Sequence, residues 1–116
     1  MDWKIEFQTD AEQDLSLIFD HLFETYQELG DDPRLAFDRA SNRVLDIRDS
    51  ALKLKDGPHR GTKRETFGRG IRNLTIKQAV IWFSVDDDVK LIRILAFFFG
   101  GQDHHRHMLT RLLNQT

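Results

Sequence analysis

Nine basic or imidazole side chains fall between positions 53 and 77: Lys53, Lys55, His59, Arg60, Lys63, Arg64, Arg69, Arg72 and Lys77. Cations at this density can neutralise phosphates, and arginine can fork two N–H bonds onto one phosphate group. Lys55, Arg60, Lys63, Arg64 and Arg69 are therefore candidates for contact with a target or a nucleic acid. Cleaving RNA without a metal would need more. A base must take the 2′-hydroxyl proton, cations must meet the developing charge, and an acid must protonate the leaving oxygen. Arginine supplies only the charge, because it stays protonated near neutrality. The plainer reading of the same segment is a solvated basic loop that attracts an acidic partner.

Arg72 and Arg93 differ from the loop charges, since each falls inside a strand-like run. Arg72 alternates with Leu74 and Ile76, and Arg93 with Leu91 and Leu95. An arginine among apolar neighbours must reach water or find a partner. The two could line a concave sheet face that binds a ligand, or simply sit at an exposed edge. Further on, His104, His105 and His107 crowd four positions, and His104 and His107 would share a helix face. The spacing is not that of a zinc helix with i, i+4 ligands, and no further ligand set is visible, so no metal or cofactor is expected. If the protein cuts RNA, Arg72, Arg93, His104 and His107 are the candidate catalytic residues, because histidine changes charge near neutral pH. Otherwise the histidines are surface residues of an amphipathic helix. His21 and His59 have no supporting constellation in the sequence.

The chain that must position these groups has 116 residues, enough for one domain spanning 1–116. It lacks cysteine, which excludes a disulfide framework, a thiolate zinc site and a cysteine nucleophile. No apolar run approaches the roughly 20 residues of a membrane helix, and the start MDWKIEF has no secretory apolar region, so a cytoplasmic location is expected. The net charge of −2 hides an asymmetry, because residues 1–32 carry ten carboxylates against one lysine and the middle is basic.

Trp3 to Phe7 alternates as a strand. Thr9 and Glu12 have capping-box spacing ahead of an apolar stripe at Ala11, Leu15, Ile18, Leu22, Tyr26 and Leu29. Gly30 stops that helix. Asp32-Pro33 starts a second, with a stripe at Phe37, Ala40, Val44, Ile47, Ala51 and Leu54. The short link implies a helical hairpin. After a basic loop over 58–70, three runs rich in β-branched and aromatic residues (70–76, 79–85 and 89–99) read as an antiparallel meander. Asp103 to Asn114 reads as a last helix, with Asp103 able to cap it. The order is β-α-α-β-β-β-α, an α+β fold. Trp82, Phe83 and Phe97 to Phe99 could stack on bases, but such strand aromatics are more often core or interface. Phe98 must point opposite to Phe97 and Phe99, so one side stays exposed unless something covers it.

With these elements in order, the chain resembles the RelE/ParE superfamily of toxins from bacterial toxin–antitoxin systems. The matching pieces are Ala11-Glu12-Gln13-Asp14-Leu15-Ser16-Leu17-Ile18 in the hairpin, Pro58-His59-Arg60-Gly61 after it, and Gly70-Ile71-Arg72-Asn73-Leu74 in the next strand. Val80-Ile81-Trp82-Phe83-Ser84-Val85-Asp86 follows, and then Leu91-Ile92-Arg93-Ile94-Leu95 with Gly100-Gly101-Gln102-Asp103. The resemblance implies an antiparallel sheet packed against the hairpin. It also implies a cognate antitoxin whose C-terminal segment wraps the sheet, with Phe97, Phe98 and Phe99 as its contact. It implies one of two targets. The ParE-like branch inhibits DNA gyrase by binding, and this is the branch expected here. The RelE-like branch cleaves mRNA on the ribosome, with Arg72 as a phosphate-binding arginine and His104 or His107 in place of a C-terminal acid.

Overall fold

The computed structural model describes residues 2–99 and 103–114. The elements are β1 (Lys4–Phe7), α1 (Thr9–Glu28), α2 (Pro33–Leu52), β2 (Thr62–Lys63), β3 (Ile71–Ile76), β4 (Ala79–Asp86), β5 (Leu91–Phe99) and α3 (His104–Leu113). Short 3-10 turns at Lys53–Asp56 and Glu65–Phe67 interrupt the long connection from α2 to β3. The expected order is present, with β2 added inside what reads as a loop.

The helical hairpin forms for the reasons its sequence suggests. On α1, Ala11, Leu15, Ile18 and Leu22 are buried at helical spacing, and Asp14 is buried among them. On α2, Ala36, Ala40, Ile47 and Ala51 are buried. Burying each large aliphatic side chain contributes about 1.5–3 kcal/mol, which sets the hairpin against the sheet. Asp32 caps α2 by accepting from the Leu35 N–H at 2.9 Å. The capping box expected at Thr9 is absent. The helix already includes Thr9, Gln8 stands at its N-cap without a side-chain bond, and Glu12 is taken by Arg48 of α2 at 3.0 and 3.1 Å. Phe37 and Leu29 also leave the expected stripes, at 50% and 74% exposure, although Phe37 stands edge-on to Phe19 and Phe23.

The sheet order is β1-β5-β4-β3-β2. The meander of β3, β4 and β5 is antiparallel as expected, but β1 runs parallel to β5, so the sheet is mixed. The chain leaves β1 through the helical hairpin and comes back beside it only at β5, the last strand of the meander, which runs in the same direction as β1. Lys77 and Gln78 both take positive φ, +53° and +66°, as a two-residue hairpin of primed type requires. Between the Trp82–Ala96 and Phe83–Ile94 pairs the register shifts, leaving Leu95 as an extra residue in β5.

That bulge sets which side chains face which layer. Ile81, Phe83, Ile92, Ile94 and Phe97 join the hairpin in one core. Val80, Trp82, Leu95, Ala96 and Phe98 form a second core on the opposite face, where Met108 of α3 is fully buried and Phe67 and Leu112 pack. Phe97 and Phe98 are 2% and 6% exposed, and Phe99 is half-buried. Phe98 does point opposite to Phe97, and the chain's own α3, rather than a partner chain, covers that side. The joint Gly100-Gly101-Gln102 lies outside the described residues. Among the described residues no helix is long and apolar enough to cross a membrane.

Candidate functional site

Where the loop after α2 meets the β4–β5 turn, a cleft of about 450 Å³ opens at one end of the sheet. Lys63, Arg69, Arg72 and Arg93 line it, with Ser84 and Ile71, and Glu65, Asp86, Asp87 and Asp88 stand in the same wall. Gly70 lets the loop close on β4. Its φ is +76°, the Val85 N–H donates to its carbonyl at 2.9 Å, and a Cβ there would lie 2.6 Å from the Val85 carbonyl oxygen. Only glycine fits such an approach without a shift.

Arg72 is committed within this cleft. Its Nη1 donates to the His59 carbonyl at 3.0 Å, holding the basic loop against β3. The His59 ring is held in turn by Asp87, 2.7 Å from Nε2, and by the edge of Trp3 at 5.8 Å, over which Lys90 lies. A histidine without company in the sequence thus has a carboxylate partner 28 residues away, which no linear motif announces. Arg93 is half exposed and lies 3.6 Å from Glu6. The strand register sets the two arginines on opposite faces. Arg72 pairs with Phe83 on the hairpin side, and Arg93 pairs with Ser84 on the α3 side. They reach the cleft from different sides rather than sharing one concave face, which corrects that expectation.

The remaining loop cations are dispersed. Lys55, Arg60, Lys63 and Arg69 are exposed, and only Lys63 and Arg69 of these line the cleft. Arg64 turns toward the other core, where its Nε donates to Asn73 Oδ1 at 3.4 Å. Asn73 is 6% exposed and its amide nitrogen has no hydrogen-bond partner among the described residues, a buried polar group that the sequence does not reveal.

The histidines of α3 lie away from the cleft. His104 Nδ1 accepts from the indole N–H of Trp82 at 3.1 Å. Burial, then His105 and Arg64, hold the His104 pKa below the usual histidine value, and Asp103 opposes them. His104 is therefore neutral and acting as an acceptor at neutral pH, the wrong state for a general acid. His105 packs on Phe67 and Trp82, while His107 stacks on Phe98 with ring centroids 5.7 Å apart. Trp82 is fully buried, so its stacking surface is used inside the protein. The structure does not gather Arg72, Arg93, His104 and His107 into one site. Among the described residues no group of three or more His, Asp or Glu side chains is placed to hold a metal ion.

No protein-family model and no curated protein sequence matches the chain. Solved structures do. A chain of the chromosomal ParDE TA system from P. aeruginosa superposes with a TM-score of 0.64 and 23% identity, over 84% of this chain and 95% of that one. The toxin–antitoxin complex RelBE2 from Mycobacterium tuberculosis gives 0.55 and 16%, over 86% of this chain and 100% of the matched one. An arginine-to-alanine double mutant of the E. coli toxin RelE in the free state gives 0.53 and 8%, over 96% and 97%. The chain has the RelE/ParE toxin fold.

Proposed function

We propose that a protein with this fold and this dispersed cleft is the toxin of a type II toxin–antitoxin system. In this reading it is held inactive by a cognate antitoxin in the cytoplasm, and it arrests growth in the ParE-like manner, by binding DNA gyrase. The observation that carries the reading is the likeness to a chain of the ParDE system over 84% of this chain, where similarity in both fold and sequence exceeds that to the RelE structures.

The site geometry supports binding over hydrolysis. A ribonuclease would need a base, a cation and an acid within reach of one phosphate. Here Arg72 is engaged with the loop backbone, Arg93 approaches from the opposite face, and His104, at the start of α3, is neutral and taken by the Trp82 indole. The surface cations Lys63, Arg69 and Arg93 remain as target contacts in the cleft, with Lys55 and Arg60 as further exposed cations outside it. The antitoxin is assigned to the end of β5. Phe99, half-buried and lying 5.6 Å from the Arg43 guanidinium, is the first of the three phenylalanines that an arriving segment would meet. Phe97 is buried in the same hairpin-side core as Phe99, and Phe98 in the core on the opposite face.

The test uses the purified chain in two assays, supercoiling by gyrase and cleavage of mRNA on programmed ribosomes. Loss of supercoiling with intact mRNA supports the reading. Cut mRNA with unimpaired gyrase replaces it with the RelE-like alternative, an mRNA endoribonuclease.

A further inference from the structure

Helix α3 covers the aromatic face of the sheet, and different chemistry holds each of its ends. At the far end, Arg111 donates through Nη1 and Nη2 to the two oxygens of Asp14 at 2.8 and 2.9 Å, and also to the Leu95 carbonyl at 3.2 Å. An arginine keeps its charge at every ordinary pH. At the near end the bond from Trp82 Nε1 to His104 Nδ1 depends on the protonation state of one ring. The indole nitrogen only donates, so His104 must offer a lone pair at Nδ1. A protonated imidazole carries N–H groups at both nitrogens, which would set two donors 3.1 Å apart in the fully buried surroundings of Trp82.

We propose that the Trp82–His104 hydrogen bond is a pH-sensitive latch: neutral His104 docks the start of α3 on the sheet, and its protonation releases that end while Arg111 keeps the other attached to Asp14. The charges facing His104 favour release once it is protonated. Arg64 approaches from the loop before β3, and His105 adjoins it in α3 with ring centroids 4.4 Å apart. Asp103 is the opposing charge, and its carboxylate already accepts from the Arg106 N–H at 3.2 Å as the cap of α3. Trp82 of β4 and Phe67, also packed there, carry no charge. Lifting uncovers Trp82 and Phe67, on which the His104 and His105 rings pack. The depressed pKa of His104 agrees with this geometry and puts the midpoint below about 6.5.

The experiment follows the Trp82 indole N–H resonance, the His104 ring resonances and amide-hydrogen exchange in α3 as pH falls from 8 to 5. The expected result is an indole signal that shifts with the same midpoint as the His104 ring. Exchange protection should be lost at residues 104–108 and retained near Arg111. His104→Asn keeps an acceptor near the Nδ1 position but cannot titrate, so its indole signal should not respond to pH, while His105→Gln should respond as wild type does. An indole signal that stays constant from pH 8 to 5 overturns the latch. So does a transition retained in His104→Asn, or an indole midpoint different from that of the His104 ring. The last comparison needs only the wild-type protein, so it decides the matter even if the variant fails to fold.

Discussion

The guanidinium of Arg111 forks onto both carboxylate oxygens of Asp14, joining the last helix to the first across 97 residues of chain. Asp14 also accepts from the Phe97 backbone N–H at 3.0 Å, so one carboxylate ties α1, β5 and α3 together. The hydrogen bond to Asp14 is the main reason the Arg111 pKa is raised further above its already high value. Asp14→Ala should leave the Arg111 guanidinium with only the Leu95 carbonyl and the more distant Asp10 carboxylate, and the buried Phe97 N–H without its acceptor, at a cost of about 3 kcal/mol. Urea denaturation would measure it. A loss under about 0.5 kcal/mol would mean that α3 is held by Met108 and its apolar neighbours alone.

Two glycines separate backbone strain from steric exclusion. Gly30 has φ +111° with nothing within 4 Å of a Cβ, whereas Gly70 has φ +76° and a Cβ there would meet the Val85 carbonyl. Gly30→Ala should cost roughly 1 kcal/mol. Gly70→Ala should cost roughly 2–4 kcal/mol and open the cleft, because the loop must move away from β4. Equal denaturation midpoints for the two variants would contradict the close approach at Gly70.

Stability should depend on pH through His104. Its folded pKa is depressed, so the unfolded chain binds the proton more readily. The contribution is fully present above the unfolded value of about 6.5 and is lost as pH falls from there through the folded pKa. The denaturant midpoint of the wild type should therefore drop between pH 7.5 and pH 5 by more than that of His104→Asn. Equal drops would assign the acid sensitivity to other groups.

The cleft cations should matter for the target and little for the fold. Lys63 and Arg69 are exposed, and Arg93 is half exposed beside an exposed Glu6. Such residues change stability by within about 0.5 kcal/mol when truncated. Lys63→Ala, Arg69→Ala and Arg93→Ala combined should keep the thermal midpoint within a few degrees and weaken growth inhibition about tenfold or more. Undiminished toxicity in a folded triple variant would move the target surface elsewhere.

Much of this architecture is visible in local chemistry. The spacing of Leu15, Ile18 and Leu22, the Asp32-Pro33 start, the Lys77-Gln78 turn and the Asp103 cap each depend on neighbours a few residues away, and each appears as expected. What failed depends on distant partners. The parallel pairing of β1 needs a strand some ninety positions away, as with Lys4 beside Leu91. The bulge at Leu95 is a matter of register that alternation alone does not reveal. The site was harder still. Arg72 and Arg93 look alike in the sequence, and only the pairing with Phe83 and Ser84 puts them on opposite faces. His59 looked isolated because Asp87 reaches it only when the turn closes.

The central claim, a toxin that binds its target rather than cutting RNA, is tested most directly by inducing the chain in cells without an antitoxin. Gyrase-linked DNA breaks and new mRNA 5′ ends would be counted within the same few minutes. The account predicts growth arrest with accumulating DNA breaks and intact mRNA. Growth arrest with prompt mRNA cleavage and unbroken DNA would contradict it.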